Sequence, residues 1–276
     1  HVDVMESPGR VPDMARRVAL PSVEFDDPGG GNWKSPDVFV ISLALPTEAP
    51  RIGRSTGDGP GYMVTMYYTM KVETREVLRR ITAPDYDPAA EEGGDAGDDD
   101  DPQRSVLNAV RLWERWCETA PTDPKMQGRF KVLVDAHNLQ EIGMPSWIAK
   151  YNGKPFLIKR AGVTGFLYDH RTELNCMEFD VSFHCFPYLF KQATSYLKDN
   201  YFRLVLVSFA FCIEGREDDE LPEAVIGEGI QLCYPDPDIA IQAEDLFGGM
   251  SPSSFDPPGE PPFDDDDDDD DASSLK

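Results

Sequence analysis

The chain has 276 residues, with 51 acidic against 26 basic side chains and a formal net charge of −25. An acidic excess of this size repels a phosphate backbone, and no basic-aromatic repeat offsets it, so nucleic acid is not an expected partner. The charge is local: Asp85 to Gln103 holds nine acids and no base, and Glu244 to Lys276 holds twelve acids and one lysine, so the remaining body is only mildly acidic.

In chain order, His1 to Trp33 is rich in Pro, Gly and short polar residues. Beyond a few apolar positions around Met14 and Val18 it has no period, which predicts a loop-rich entry. Val38 to Leu45 is a near-continuous apolar stretch ended by Pro46, and Tyr62 to Val72 alternates, so both read as strands. The turn-rich Arg51 to Gly61 between them predicts an antiparallel pair. Gly57, Gly59 and Gly61 lack the Lys-Ser/Thr ending and the following helix of a phosphate loop, and read as a hairpin loop. Thr74 to Ile81 predicts a short helix. After it, residues 84–103 read as a disordered acidic insertion, since they lack the apolar residues that would offset ordering entropy. Arg104 to Thr119 resumes helical spacing, and Phe130 to Asp135 is a short strand. Met144 to Lys150 is a turn or short helix whose Trp147 is read as a core plug rather than a lid. Phe156 to Lys159 and Thr164 to Tyr168 are further strands.

The chain is organised around Met177 to Gly215. Met177, Phe179, Val181 and Phe183 alternate with Glu178, Asp180, Ser182 and His184, the pattern of a strand with one buried and one wet face. Pro187 to Phe202 carries Leu189, Ala193, Tyr196, Leu197 and Tyr201 at helical spacing. Leu204 to Ile213 is uncharged and apolar on both alternating faces, which predicts a central strand roofed by that helix. At about ten residues it falls well short of the roughly 20 that span a bilayer as a helix. Ala224 to Tyr234 reads as the last strand, with a bulge or close backbone approach at Gly227 and Gly229. The expected fold is α+β, a mostly antiparallel sheet of about seven strands packed with two longer helices. A single domain over 1–243 and a disordered acidic tail over 244–276 complete the organisation. The five cysteines form no Cys-x-x-Cys pair and sit largely in apolar runs, which favours a reducing, intracellular compartment.

Several stretches carry a resemblance. VISLALP (Val40 to Pro46), RFKVL (Arg129 to Leu133), PSWI (Pro145 to Ile148), NGKPFLIKR (Asn152 to Arg160) and CMEFDVSF (Cys176 to Phe183), with Glu214-Gly215 and Glu220-Leu221-Pro222-Glu223, resemble the C-terminal domain of the plant enhanced disease resistance 2 family. The resemblance spans roughly His1 to Ala243, without the family's opening Arg-Gly-x-x-Tyr segment, which suggests a truncated start. His184-Cys185-Phe186-Pro187 stands where the family has a small Gly/Ser run. The resemblance implies a domain that often follows pleckstrin-homology and START lipid-binding modules and acts at intracellular membranes, with no catalytic activity attached. A START-like or other lipid-binding shape fits the expected fold, and the expected location is cytoplasmic or peripheral to an internal membrane.

The residues themselves carry no enzyme signature: no Gly-x-Ser-x-Gly, no His-Glu-x-x-His, no spaced zinc ligands. His184 and Cys185 are read as one wet and one core residue rather than a catalytic pair. Glu178 and Asp180 share a strand face and read as a solvated or salt-bridged pair, with Lys159 and Arg160 nearby. Asp264 to Asp271 lacks the Gly-directed geometry of a calcium loop, so neither a metal nor another cofactor is expected. Lys154, Lys159, Arg160, His170 and Arg171 form a basic cluster suited to a lipid headgroup or to ordinary pairing with Glu173, Glu178 and Asp180. Phe166, Phe179, Phe183, Phe209 and Phe211 are the expected apolar lining. The leading expectation is thus a non-enzymatic lipid- or membrane-interaction domain. Its rival is a structural or protein-interaction domain with a solid core, whose acidic tail binds a basic partner.

Overall fold

The computed structural model describes residues 1–23, 31–50, 58–87 and 102–247. Gly57 of the hairpin loop, most of the acidic insertion and the tail beyond Phe247 lie outside the described residues. In chain order the elements are β1 (Val2–Ser7), a 3₁₀ turn (Met14–Arg16), β2 (Val38–Pro46), β3 (Gly61–Thr69), α1 (Val72–Ile81), α2 (Pro102–Thr119), α3 (Pro124–Gln127), β4 (Phe130–Ala136), α4 (Ser146–Ala149), β5 (Pro155–Leu157) and β6 (Gly165–His170). They continue with α5 (Arg171–Leu174), β7 (Cys176–Ser182), a second 3₁₀ turn (Phe183–Cys185), α6 (Tyr188–Asn200), β8 (Leu206–Ile213), a third (Asp218–Glu220), β9 (Ala224–Val225), β10 (Ile230–Cys233), a fourth (Pro237–Ile239), β11 (Ile241–Gln242) and α7 (Ala243–Leu246). The fold is α+β, with more strands than the seven expected.

The strands make two sheets. One has the order β11-β1-β3-β2-β7-β6. The other runs β10-β8-β4-β5, with β9 also on β8. Pairing is antiparallel except for β2 with β7 and β1 with β11. The expected β2–β3 hairpin is present, from Val38 opposite Thr69 to Pro46 opposite Gly61.

Alternation along β2, β3 and β7 sends Phe39, Ile41, Leu43, Val64, Met66, Met177, Phe179 and Val181 into one core with Phe130, Val132, Phe209, Phe211 and Ile213 of the second sheet. The space between the sheets is filled by rings. Phe130 stacks on Phe179 at 4.1 Å between centroids, and Trp116 of α2 packs against Phe39, Phe130 and Phe179. Helix α2 is held there by its apolar stripe and by Trp116 Nε1, which donates to the Met126 carbonyl at 3.0 Å.

The outer face of the first sheet is covered as well, which the sequence reading did not foresee. The entry segment is not only loop: β1 joins this sheet, and Val11, Met14 and Ala15 then cross its outer face, packing on Val38, Val40, Ala44 and Met63. Every residue of β7 is therefore buried, and the expected wet face of Glu178, Asp180 and Ser182 does not exist. His184, expected wet, is buried too.

Three further expectations are corrected. The strand after α6 starts at Leu206, and Leu204 lies outside it, half exposed. Strand β8 is central in its sheet, but its cover is the facing sheet, whereas α6 lies along β2, with Lys198 Nζ donating to the Thr47 carbonyl at 2.9 Å. The last predicted strand is split into β9 and β10. The break falls at Gly227, whose φ is +65° and where a Cβ would sit 2.3 Å from the Tyr68 ring, so both backbone angle and space require glycine.

Candidate functional site

Two places concentrate chemistry. The first is the buried carboxylate pair of β7. Glu178 Oε1 accepts the Met14 N–H at 2.8 Å and Oε2 accepts the Ala15 N–H at 2.6 Å. These are the first amides of a 3₁₀ turn, which lack partners within the turn itself, so a strand carboxylate caps a turn 164 residues away. Asp13, just before the turn, has φ +57° and accepts from His170 Nε2 at 2.6 Å. Arg10 supplies the cation: its guanidinium lies 3.3 Å from Asp180 Oδ2, donates to the Tyr168 hydroxyl at 3.2 Å and stacks 3.9 Å over the Phe166 ring.

Arg10 at Asp180, with the Arg17 charge acting on both carboxyls, does not offset the burial of two acids enough to favour double ionisation. Burial pushes the Glu178 carboxyl well above its usual range, with the Asp180 charge adding to the push. Burial also raises Asp180, to about 6, despite the Glu178 hydrogen bond and the Arg10 charge, which both pull it down. Asp180 Oδ1 is sealed from solvent without a hydrogen-bond donor among the described residues. The pair therefore binds protons more tightly folded than unfolded, so its contribution is complete below about pH 4; the Asp180 share is lost as pH rises through about 6, and the Glu178 share as pH rises through a value well above the usual carboxylate range. Urea midpoints measured from pH 4 to pH 7.5 are expected to fall with pH, and Asp180→Asn to flatten that slope. A slope that Asp180→Asn leaves unchanged would assign the titration elsewhere. Nearby, burial lowers the His184 imidazole, with Lys191 and Arg10 adding to the effect against Asp58. Closed under Arg10 and the entry segment, the pair fastens one layer to the next.

The second place is the segment 142–168, which carries Lys150, Lys154, Lys159 and Arg160 and no acid of its own, with Asp135 of β4 at its edge accepting from Asn152 Nδ2. All four bases are exposed. Lys150 and Lys154 approach the Tyr151 ring at 4.7 and 5.9 Å, and no carboxylate among the described residues pairs with Lys150, Lys154 or Arg160. This segment abuts α6: Trp147 faces Tyr196 at 6.0 Å, Phe156 meets Phe190 edge-on at 5.5 Å, and the Tyr201 hydroxyl donates to the Gly143 carbonyl at 3.3 Å. Trp147 is half-buried, neither core plug nor free lid. On α6, Tyr188, Leu189 and Tyr196 are among the exposed large side chains. Lys150 and Lys154 thus sit beside amphipathic rings near the Val134 end of β4, and Lys159 and Arg160 follow β5 at the Phe130 end of β4.

The expected headgroup residues divide. Lys154, Lys159 and Arg160 lie in this segment. His170 is buried against Asp13, and Arg171 donates to Asp169 and to the carbonyls of Lys34 and Cys117, tying the end of β6 to α2. The Asp169 carboxyl is held below its usual range by that guanidinium. Four of the five expected apolar residues are brought together. Phe179, Phe183, Phe209 and Phe211 belong to the filled core, while Phe166 lies under Arg10. Arg10 holds Asp180, the role for which Lys159 and Arg160 were expected. Arg10, Asp13 and Lys150 were missed.

The remaining charge cluster is structural. Glu220, nearly fully buried, accepts from Arg129 at 2.9 Å and from the Arg216 N–H at 2.7 Å, and also pairs with Arg115. Glu223 pairs with Lys131. Gly215 stands where a Cβ would meet the Glu220 carbonyl oxygen at 2.5 Å, so Glu214-Gly215 and Glu220-Leu221-Pro222-Glu223 form one clasp on β4. Among the described residues, no group of three or more His, Cys, Asp or Glu is placed to hold a metal ion, and no helix is long and apolar enough to cross a membrane.

The chain was compared with known families and proteins. The family model described as Protein ENHANCED DISEASE RESISTANCE 2, C-terminal matches residues 1–235. Neither the curated proteins nor the solved structures gave a match.

Proposed function

Since the chain belongs to the family of the enhanced disease resistance 2 C-terminal domain, we propose that within it this domain is a non-enzymatic module that docks on an anionic membrane surface. The observation that carries the reading is the segment 142–168, which has no acid of its own and sets four exposed bases beside Trp147, Tyr151 and the exposed rings of α6, in a chain of net charge −25. Aromatic rings with one polar edge suit the headgroup layer, and basic side chains add attraction to anionic lipid. The filled interior argues for contact at the surface rather than extraction of a lipid into the core.

Retention on sedimented vesicles tests this. The chain should be retained by phosphatidylcholine vesicles containing phosphatidylserine and not by phosphatidylcholine alone, with the difference vanishing at high salt. The triple variant Lys150→Gln, Lys154→Gln, Arg160→Gln should bind about 100-fold more weakly, taking each base as worth about fivefold at an anionic surface. Equal retention on both lipids, or a triple variant that binds like the parent, would overturn the reading.

The same filled core favours the rival, a protein-interaction domain whose acidic tail meets a basic partner. In that case the parent would not be retained by vesicles, and deletion of Asp264 to Asp271 would abolish partner binding.

A further inference from the structure

An exposed basic segment in a chain this acidic has a counterpart close at hand. Asp264 to Asp271 is a run of eight consecutive aspartates, and residues 248–276 together hold ten acids and one base. Sixteen residues, five of them proline, separate Phe247 from Asp264. A spacer of that length reaches up to about 50 Å, while a body of this size is roughly 45 Å across. Asp236 and Asp238, about ten residues before the spacer, pair with Arg203, and the nearby Tyr201 donates to the Gly143 carbonyl at the margin of the basic segment, so the spacer's reach covers the path to Lys150, Lys154, Lys159 and Arg160. Tethering gives it an effective concentration on the order of millimolar, far above that of a free acidic peptide.

The segment itself is prepared for such an occupant. No carboxylate among the described residues pairs with Lys150, Lys154 or Arg160, although acids elsewhere find cations readily, as Glu220 does with Arg129 and Arg115 and Asp169 does with Arg171. We infer that the Asp264–Asp271 run folds back onto this segment and competes with anionic lipid for it, so that the chain carries its own inhibitor of membrane docking. The competing ligand rests on the membrane reading above; the fold-back does not.

Two measurements separate these statements. Carbodiimide coupling, which joins carboxylates directly to lysine, is applied to the full chain at about 50 mM salt without lipid. Peptide mass spectrometry should then find Asp264–Asp271 joined to Lys150, Lys154 or Lys159, and the products should disappear at about 500 mM salt. Products confined to other lysines such as Lys71 or Lys125, products that instead join the acids of residues 85–101 to this segment, or no products from the run would overturn the fold-back.

Vesicles of phosphatidylcholine with phosphatidylserine are then added to the parent and to a variant in which all eight aspartates are asparagine. The parent should lose its cross-links as lipid is added, and the variant should bind at least tenfold more tightly. General repulsion between tail and membrane would also tighten the variant. The control is the same eight replacements on top of Lys150→Gln, Lys154→Gln and Arg160→Gln: under competition the tenfold gain disappears, and a gain that persists overturns the competition. Cross-links present while neither chain binds vesicles would leave the fold-back standing and sink the membrane reading alone.

Discussion

Replacing Phe130 with alanine is expected to lower the unfolding free energy by about 3–5 kcal/mol, the range for emptying an aromatic site in a close-packed core. Phe130 is fully buried where the two sheets meet, stacked on Phe179 at 4.1 Å and bordered by Trp116 and Phe211. Those neighbours come from three separate elements, α2, β7 and β8, so none can move in to fill the gap without leaving its own sheet or helix. Against a typical domain stability of about 5–15 kcal/mol, the variant should be marginal. Urea unfolding with an unchanged slope and a midpoint reduced by about a third or more would agree. A loss below about 1 kcal/mol would mean that the intersheet space is loosely packed, and an internal lipid slot would then compete with surface docking.

The second large effect is expected from Glu220→Ala, at about 3–5 kcal/mol, because it strands one largely buried cation, Arg129, rather than removing an apolar contact. Glu220 is 3% exposed and answers Arg129, itself largely buried, together with Arg115 and the Arg216 amide. Burial already depresses the Arg129 guanidinium, and the neighbouring charges of Arg216 and Arg115 depress it further, so the carboxylate's loss leaves only Glu214 and Glu217 to offset them. Glu220→Gln keeps an acceptor for the amide and should lose less than Glu220→Ala. Thermal unfolding of both variants checks the order. Equal losses would mean that the charge, and not the retained acceptor, carries the whole effect.

The helices and the central strands were legible because their apolar residues keep one period over many positions, as in Arg104 to Thr119 and in Val38 to Leu45. What could not be read was which second surface a strand meets. The alternation of Glu178 and Asp180 with Met177 and Phe179 is the pattern of a half-wet strand, and nothing local distinguishes water from a strap lying 164 residues earlier in the chain. A hint lay in the neighbour: Val38, Val40 and Ala44 occupy the outer side of β2, and an apolar outer side needs a cover. Strand β1 was missed because six residues that include Asp3 and Glu6 make a weak period on an edge. Arg10 and Asp13 carry no motif, and their roles exist only through β6 and β7. The basic segment was partly legible. Grouping Lys154, Lys159 and Arg160 with His170 and Arg171 followed residue type, whereas counting the acids absent from residues 142–168 would have brought in Lys150 and left His170 and Arg171 out.

The parallel contact of β2 with β7 sets a condition on assembly. Val38 lies opposite Cys176, so the middle of the larger sheet joins segments separated by 138 positions, and the antiparallel hairpin of β2 and β3 waits with one edge open until β7 arrives. Sequence-distant pairing of this kind is slow, in the millisecond-to-second range even for smaller domains. During synthesis, the hairpin's open edge stays unmatched until the ribosome has passed residue 182, and over that interval a chaperone or a second nascent chain has access to it.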